Sequence, residues 1–328
     1  MADSDTDTTN GPRGLSALGE ALRPGHWIKN AFVLAPVLFA QRFTEPLTWG
    51  VALAAAAAFC LLSSATYLIN DVVDRKRDAA HPRKRHRPVA SGRLSVPAAV
   101  TAGVLLYAAG LTVAAALTVR TLGAGPLGGM GLMFWTLCYV ALSTVYSFWL
   151  KSRAIVDVIV IALGFVLRAM AGASAIAVPI SPWLVVCTFT LCLFIALTKR
   201  RSELETGGAV EAAASRPAHR GYTRDDLEHM LTVSTALAIL TYSLYCLAPR
   251  TVGPGGVGSA HLVWTIPLVV YGMFRYNRAT RRTGADPVSV LLRDRVIWAV
   301  MIVYAVVTAV VIRYGSAPAV RDVLDIRP

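Results

Sequence analysis

Tyr67-Leu68-Ile69-Asn70-Asp71-Val72-Val73-Asp74-Arg75-Lys76-Arg77-Asp78 closes a long apolar segment and runs into His81-Pro82-Arg83-Lys84-Arg85-His86-Arg87-Pro88. The apolar residues ahead of it, roughly 48 to 69, are about as many as a bilayer-crossing helix needs. The change to carboxylates and then to cations marks a membrane edge. Asn70, Asp74 and Asp78 recur every four residues, so a helix continuing through the run stacks them on one face. Oxygen donors in such an array suit Mg²⁺, which keeps several waters and is completed by substrate phosphates rather than by a protein cage. A metallated diphosphate is the guest expected there. The plainer reading, solvated charges ending a transmembrane helix, accounts for the cations but not for oxygen ligands at four-residue spacing.

Outward from this run the chain keeps a membrane character, with 55% hydrophobic and 16% charged residues and a mean hydropathy of +0.55. The expected fold class is all-α, a polytopic membrane protein. Apolar runs of bilayer length predict about nine spans, approximately 27–43, 48–69, 96–119, 127–149, 154–177, 180–198, 228–248, 260–276 and 296–313. Residues 1–20 are polar and are expected as a disordered cytoplasmic head rather than a signal peptide. A transmembrane domain over 21–316 and a short extracytoplasmic tail over 317–328 complete the expected organisation.

The net charge of +13 raises the question of nucleic acid, but the cations are distributed by loop. With a cytoplasmic N-terminus, 25 of the 32 Lys and Arg fall on the cytoplasmic side, six fall outside, and Arg168 lies within the fifth span. That asymmetry obeys the positive-inside rule, so membrane partners are expected and nucleic acid is not. The five cysteines lie in or beside apolar spans without metal-ligand spacing and read as small buried hydrophobes. No Walker loop, dinucleotide fingerprint or His-Glu-x-x-His zinc motif is present.

Four further polar groups bear on function. In Arg23-Pro24-Gly25-His26-Trp27-Ile28-Lys29-Asn30, Trp27 with its cations is an interfacial anchor, or else Lys29 reaches a phosphate from the first span. Lys84, Arg85 and Arg87 are close enough in sequence to fold back over the acidic run, or form a membrane-facing basic patch. Tyr146 to Arg153 precedes Asp157 and Arg168, charges within the fifth span that need either a polar cavity or structural partners. Lys199-Arg200-Arg201 follows the sixth span, and three consecutive cations cannot all point at one ligand.

Asn70-Asp71-x-x-Asp74-x-x-x-Asp78, the basic follower His81-Pro82-x-Lys84-Arg85-x-Arg87-Pro88-x-x-Ser91-Gly92 and about nine spans resemble the UbiA superfamily of intramembrane transferases. Within it the chain is most similar to the decaprenyl-phosphate phosphoribosyltransferase group of actinobacteria. That likeness rests on Arg23-Pro24-x-x-Trp27-x-Lys29-Asn30, Tyr146-Ser147-x-x-Leu150-Lys151, Asp157, Arg168 and Lys199-Arg200-x-x-Glu203-Leu204. The resemblance implies a helical bundle whose central cavity opens to the cytoplasmic side of the plasma membrane, with self-association. It implies Mg²⁺ held by Asn70, Asp74 and Asp78, with these three carrying catalysis. It implies transfer of 5-phosphoribose from phosphoribosyl diphosphate to a polyprenyl phosphate, for cell-wall arabinan. Lys29, Tyr67 and Lys151 would orient the sugar phosphate, Lys84 and Arg85 would assist at the diphosphate, Arg168, Lys199 and Arg200 would lie around the lipid phosphate, and Tyr146 would be a further substrate-binding residue. Ordinary members of the superfamily carry a second acidic motif after the sixth span, where this chain has Lys199-Arg200-Arg201-Ser202-Glu203. Cations there bind a phosphate without an intervening metal, which fits a lipid monophosphate. An aromatic prenyltransferase of quinone or haem synthesis is the second reading, and a phosphometabolite transporter the third.

Overall fold

The computed structural model describes residues 14–40, 42, 44–81, 84–120, 131–179, 182–215, 221–247, 260–283 and 287–314. The expected tail, residues 1–13 of the expected head, and the Gly/Pro connectors at 123–126 and 253–256 lie outside them. Among the described residues there are helices and no strands. Helix α1 (Leu15–Ala21) opens the chain, followed by a 3₁₀ segment Pro24–Val33 and the short α2 (Ala35–Phe39). Then come α3 (Pro46–Val73), α4 (Arg75–Ala79), α5 (Val96–Arg120), α6 (Gly131–Phe148) and α7 (Val156–Ala175). The second half holds α8 (Pro182–Ser215), α9 (Arg224–Leu247), α10 (Ile266–Thr283), α11 (Pro287–Arg293) and α12 (Arg295–Tyr314).

Among the described residues five helices, α3, α5, α6, α7 and α9, are long and apolar enough to cross a membrane, which does not confirm the expected count of nine. The first expected span is not one helix. Pro36 lacks an N–H and its ring crowds the carbonyl four residues back, which stops a continuous helix at Leu34. Residues 15–20, expected in the disordered head, instead belong to α1. Ala17 and Ala21 are buried there in a cluster with Leu68, Val89 and Leu94.

Helix α3 begins at a Pro in the first turn, where a missing N–H costs nothing. Its 28 residues extend about 42 Å at 1.5 Å per residue, past the ~30 Å of a hydrocarbon core. Its last turn therefore stands at the margin, and that turn carries Asn70 and Asp71. Helix α5 lies along α3 through glycines: a Cβ at Gly110 would come within 2.8 Å of Leu62 Cγ, so only glycine permits this approach. Helix α7 is the central post, with 61% of its apolar window buried against 17% for α5. Its Val158 joins the cluster of Phe194, Leu227 and Ile297, while Ala171 and Ala175 join that of Phe59, Leu62 and Leu132.

Alternating helix directions bring the end of α3, the end of α6, the start of α7 and the start of α9 to one end of the bundle. Most of the described ion pairs gather there. The 3₁₀ segment lies between α3 and α7 and is pinned by side chains: Trp27 Nε1 donates to Ser64 Oγ at 3.0 Å, and Ser64 Oγ to the Leu22 carbonyl at 2.9 Å. On its other flank a Cβ at Gly172 would overlap the Val33 carbonyl.

Candidate active site

The helical register at the end of α3 is nearly unbroken: Asp74 N–H donates to the Asn70 carbonyl and Asp78 N–H to the Asp74 carbonyl, each at 2.8 Å. Asn70, Asp74 and Asp78 thus occupy successive turns, as expected, but their side chains divide. Asp74 is half-buried and accepts from Lys151 Nζ at 2.8 Å and 3.0 Å, with Arg77 at 2.9 Å. Asp78 is buried and accepts from Arg87 at 2.6 Å. The same guanidinium donates to Asp71 Oδ1 at 3.2 Å, and Arg23 donates to that oxygen at 2.6 Å. Asp71 Oδ2 is buried without a partner.

The basic run does fold back over the acidic one, through Arg87. Arg85 is exposed and donates to His86 Nε2 at 3.3 Å, and Lys84 is half-buried on the 3₁₀ turn Lys84–His86. Tyr67 lies beneath the Arg23 guanidinium, 4.8 Å from ring centroid to Cζ, and edge-on to His26. Lys151 comes from the turn Leu150–Ser152 between α6 and α7, 77 residues away from its partner Asp74. Among the described residues no three His, Cys, Asp or Glu converge as a metal cage. Asp74, partly exposed at the margin, presents a carboxylate of the kind Mg²⁺ takes together with water and phosphate oxygens. Asp78 is committed to Arg87.

Two expected phosphate ligands are placed elsewhere. Arg168 is buried in the bundle, its Nε on Asn30 Oδ1 at 2.8 Å, one terminal nitrogen on the Gly164 carbonyl at 2.9 Å and the other on Tyr139 Oη at 2.8 Å. An isolated guanidinium in a membrane interior is costly, and here each of its three nitrogens is matched to protein. Arg200 is equally buried: its Nε donates to Asp157 Oδ2 at 2.6 Å, and it pairs with Glu203. Asp157 thus finds its partner on α8, not in Arg168 of its own helix. Arg201 turns the other way, to Asn277 at 2.7 Å and Thr280 at 3.1 Å. Lys199 is half-exposed, 4.0 Å from Glu203, and Tyr146 is close enough to Arg200 to act on its charge.

Arg23, Asp71 and Tyr222 were not among the expected site residues. Asp71 stands in the acidic run but one residue off its four-residue spacing. Tyr222 carried no local signal.

A cavity of about 1430 Å³ runs lengthwise through the second half of the bundle, from Lys29 and Leu291 to Arg42, Pro182 and Trp183 at the end opposite the acidic turn. Its walls are mostly apolar and aromatic, including Phe32, Phe165, Phe194, Tyr242 and Tyr276, and Lys29 stands among them. Asn70 and Asp74 are not in its lining; Lys29 alone of the expected site residues is. The cavity suits an isoprenoid or acyl chain, and the charged end suits phosphate.

The architecture is that of an integral-membrane helical bundle with phosphate-suited chemistry at one end and an apolar chamber alongside. Residues 31–300 match the UbiA prenyltransferase family, and the chain belongs to it. It is a membrane-embedded transferase of this kind. Over 318 residues it is 30% identical to the decaprenyl-phosphate phosphoribosyltransferase of Mycobacterium tuberculosis, covering 95% of this chain and 100% of that protein. It is 32% identical over 253 residues, 76% of each chain, to the protein of the same name from Mycolicibacterium smegmatis. The structure of a UbiA homolog from Archaeoglobus fulgidus bound to GPP and Mg²⁺ shares the fold, with a TM-score of 0.66 at 19% identity over 90% of this chain and 99% of that one.

Proposed function

We propose that this chain transfers 5-phosphoribose from phosphoribosyl diphosphate to a polyprenyl phosphate such as decaprenyl phosphate, releasing diphosphate, as a step toward cell-wall arabinan. The observation that carries this reading is the absence of a carboxylate cluster at Lys199-Arg200-Arg201-Ser202-Glu203, where a second acidic motif would serve a prenyl diphosphate; Lys199 is the one cation of the three left partly exposed there. The end-to-end similarity to proteins named decaprenyl-phosphate phosphoribosyltransferase supports it.

In this reading Asn70 and Asp74 hold a Mg²⁺ ion, which when bound neutralises the departing diphosphate and orients it. Lys151, 2.8 Å from Asp74, brings a cation to the same phosphates. Lys29, Tyr67 and Tyr146 border the sugar phosphate. Arg23 and Arg87 hold Asp71 and Asp78 as the floor under that turn. The lipid phosphate reaches Lys199, and its tail takes the apolar cavity. A phosphate monoester titrates near pH ~6 and is already an anion at neutral pH, so these residues need align two anions rather than remove a proton. The site faces the cytoplasm of the plasma membrane, on the side where the cations concentrate.

Purified protein supplied with labelled phosphoribosyl diphosphate, Mg²⁺ and polyprenyl phosphate should move label into the organic phase. No transfer there, together with reaction of a prenyl diphosphate with an aromatic acid, would replace this reading with an aromatic prenyltransferase.

A further inference from the structure

Ala154–Val156, between the Leu150–Ser152 turn and α7, holds backbone strain that a helix start does not require. Ile155 has φ 66 and ψ −52, and Val156 N–H donates to the Ala154 carbonyl at 2.7 Å. This is a γ-turn with its central residue in the left-handed half of φ, a rare and strained form and an outlier for a β-branched side chain. Such geometry persists where its surroundings over-determine it, and it clusters at functional sites.

Tyr222, from the connection between α8 and α9, supplies that determination. Its hydroxyl accepts the Ile155 N–H at 2.6 Å and donates to Asp157 Oδ1 at 2.7 Å. Burial and the adjoining Asp157 carboxylate push the phenol above its ordinary range, so it keeps its proton. Asp157 is itself fixed from its other oxygen by Arg200. The residue before Tyr222 lies flat on the same turn: a Cβ at Gly221 would stand 2.6 Å from Ala154 Cβ. On the near side of the turn, Arg153 N–H donates to the Leu150 carbonyl at 3.1 Å, closing the loop that carries Lys151.

We propose that Tyr222 is a positioning residue: by pinning the Ala154–Val156 turn it fixes Lys151 against Asp74, so the residues that lead into α9 set the geometry of the diphosphate-binding end. This rests on the reading that Asp74 and Lys151 serve that end.

The test titrates inorganic diphosphate with Mg²⁺ into the purified full chain, its Lys151→Ala and Tyr222→Phe variants, and the double variant. Tyr222→Phe keeps the ring and removes both hydrogen bonds. Each single variant should weaken diphosphate about tenfold, the loss of roughly one charge-assisted contact, and the double variant no more than Lys151→Ala alone. Unchanged affinity in Tyr222→Phe beside a weakened Lys151→Ala, or losses that multiply in the double variant, overturns the positioning role and leaves the site reading intact. Absence of diphosphate binding, or its indifference to Lys151→Ala, overturns the site reading and the proposal together. If Tyr222→Phe does not fold, Gly221→Ala keeps the hydroxyl but collides with Ala154. It should weaken diphosphate by a similar factor, and adding Ala154→Gly should restore the affinity; no loss, or no restoration, counts against the pinning.

Discussion

Arg168 in the bundle interior and Lys151 at the bundle end are both cations held by side-chain partners, yet they are built to opposite ends. Arg168 has neutral acceptors on all three nitrogens from three different elements, and little of it reaches solvent. Lys151 meets one carboxylate, and both partners remain 18% exposed. A guanidinium satisfied on every side is a strut, since removing it breaks ties to three elements at once and leaves Asn30 Oδ1 buried without this donor. A single cation–carboxylate contact that solvent still reaches can exchange partners, so a phosphate oxygen can take the place of the carboxylate. The difference separates framework charge from exchangeable charge, and it places Arg168 and Arg200 on the framework side despite the sequence pattern that put them beside the lipid phosphate.

Asp74→Ala offers the strongest challenge to that division. Transfer should fall by about 10²–10³-fold or more, the usual cost of removing a group that stabilises developing charge, while the melting midpoint in detergent barely moves. An active Asp74→Ala protein breaks the contrast at its functional end. Arg168→Met should do the reverse, leaving Asn30 Oδ1 buried without this donor and removing a second donor from Tyr139 Oη and from the Gly164 carbonyl, which keeps its helical partner, at about 1–3 kcal/mol. The readouts are yield of folded protein and melting midpoint, with activity per folded molecule little changed. Full stability with a selective loss of lipid-phosphate binding would move Arg168 to the exchangeable side. Lys199→Ala is the mildest: its 4.0 Å contact with Glu203 contributes about 0.3–0.5 kcal/mol to stability. Under the proposed function it raises KM for polyprenyl phosphate about tenfold, since one charge-assisted contact is lost. A KM that stays put removes Lys199 from the acceptor site.

What could be read from the chain follows the range of the interaction. Apolar run length and the four-residue recurrence of Asn70, Asp74 and Asp78 are local, and they yield the helical membrane bundle and the turn where the charged end is built. Pro36, inside the 27–43 run, is an equally local signal that the first span breaks. The partners of Arg168 and Arg200 lie up to 138 and 43 residues away, and no periodicity encodes such distances. Without those partners a buried Arg and a phosphate-binding Arg look alike in sequence. Tyr222 shows the same limit, for its hydroxyl acts on a turn 67 residues earlier.

The broken entry segment bears on how the protein is assembled in the membrane. Backbone that is not regular α-helix is tolerated at bilayer depth only where protein shelters it, and the shelter for Pro24–Val33 is α3 and α7, which are synthesised after it. Asn30 must wait for Arg168, and the Val33 carbonyl must wait for the bare Cα of Gly172. At this end of the chain the order of synthesis and the order of settling run in opposite directions: a stretch made early becomes native only when the central post arrives.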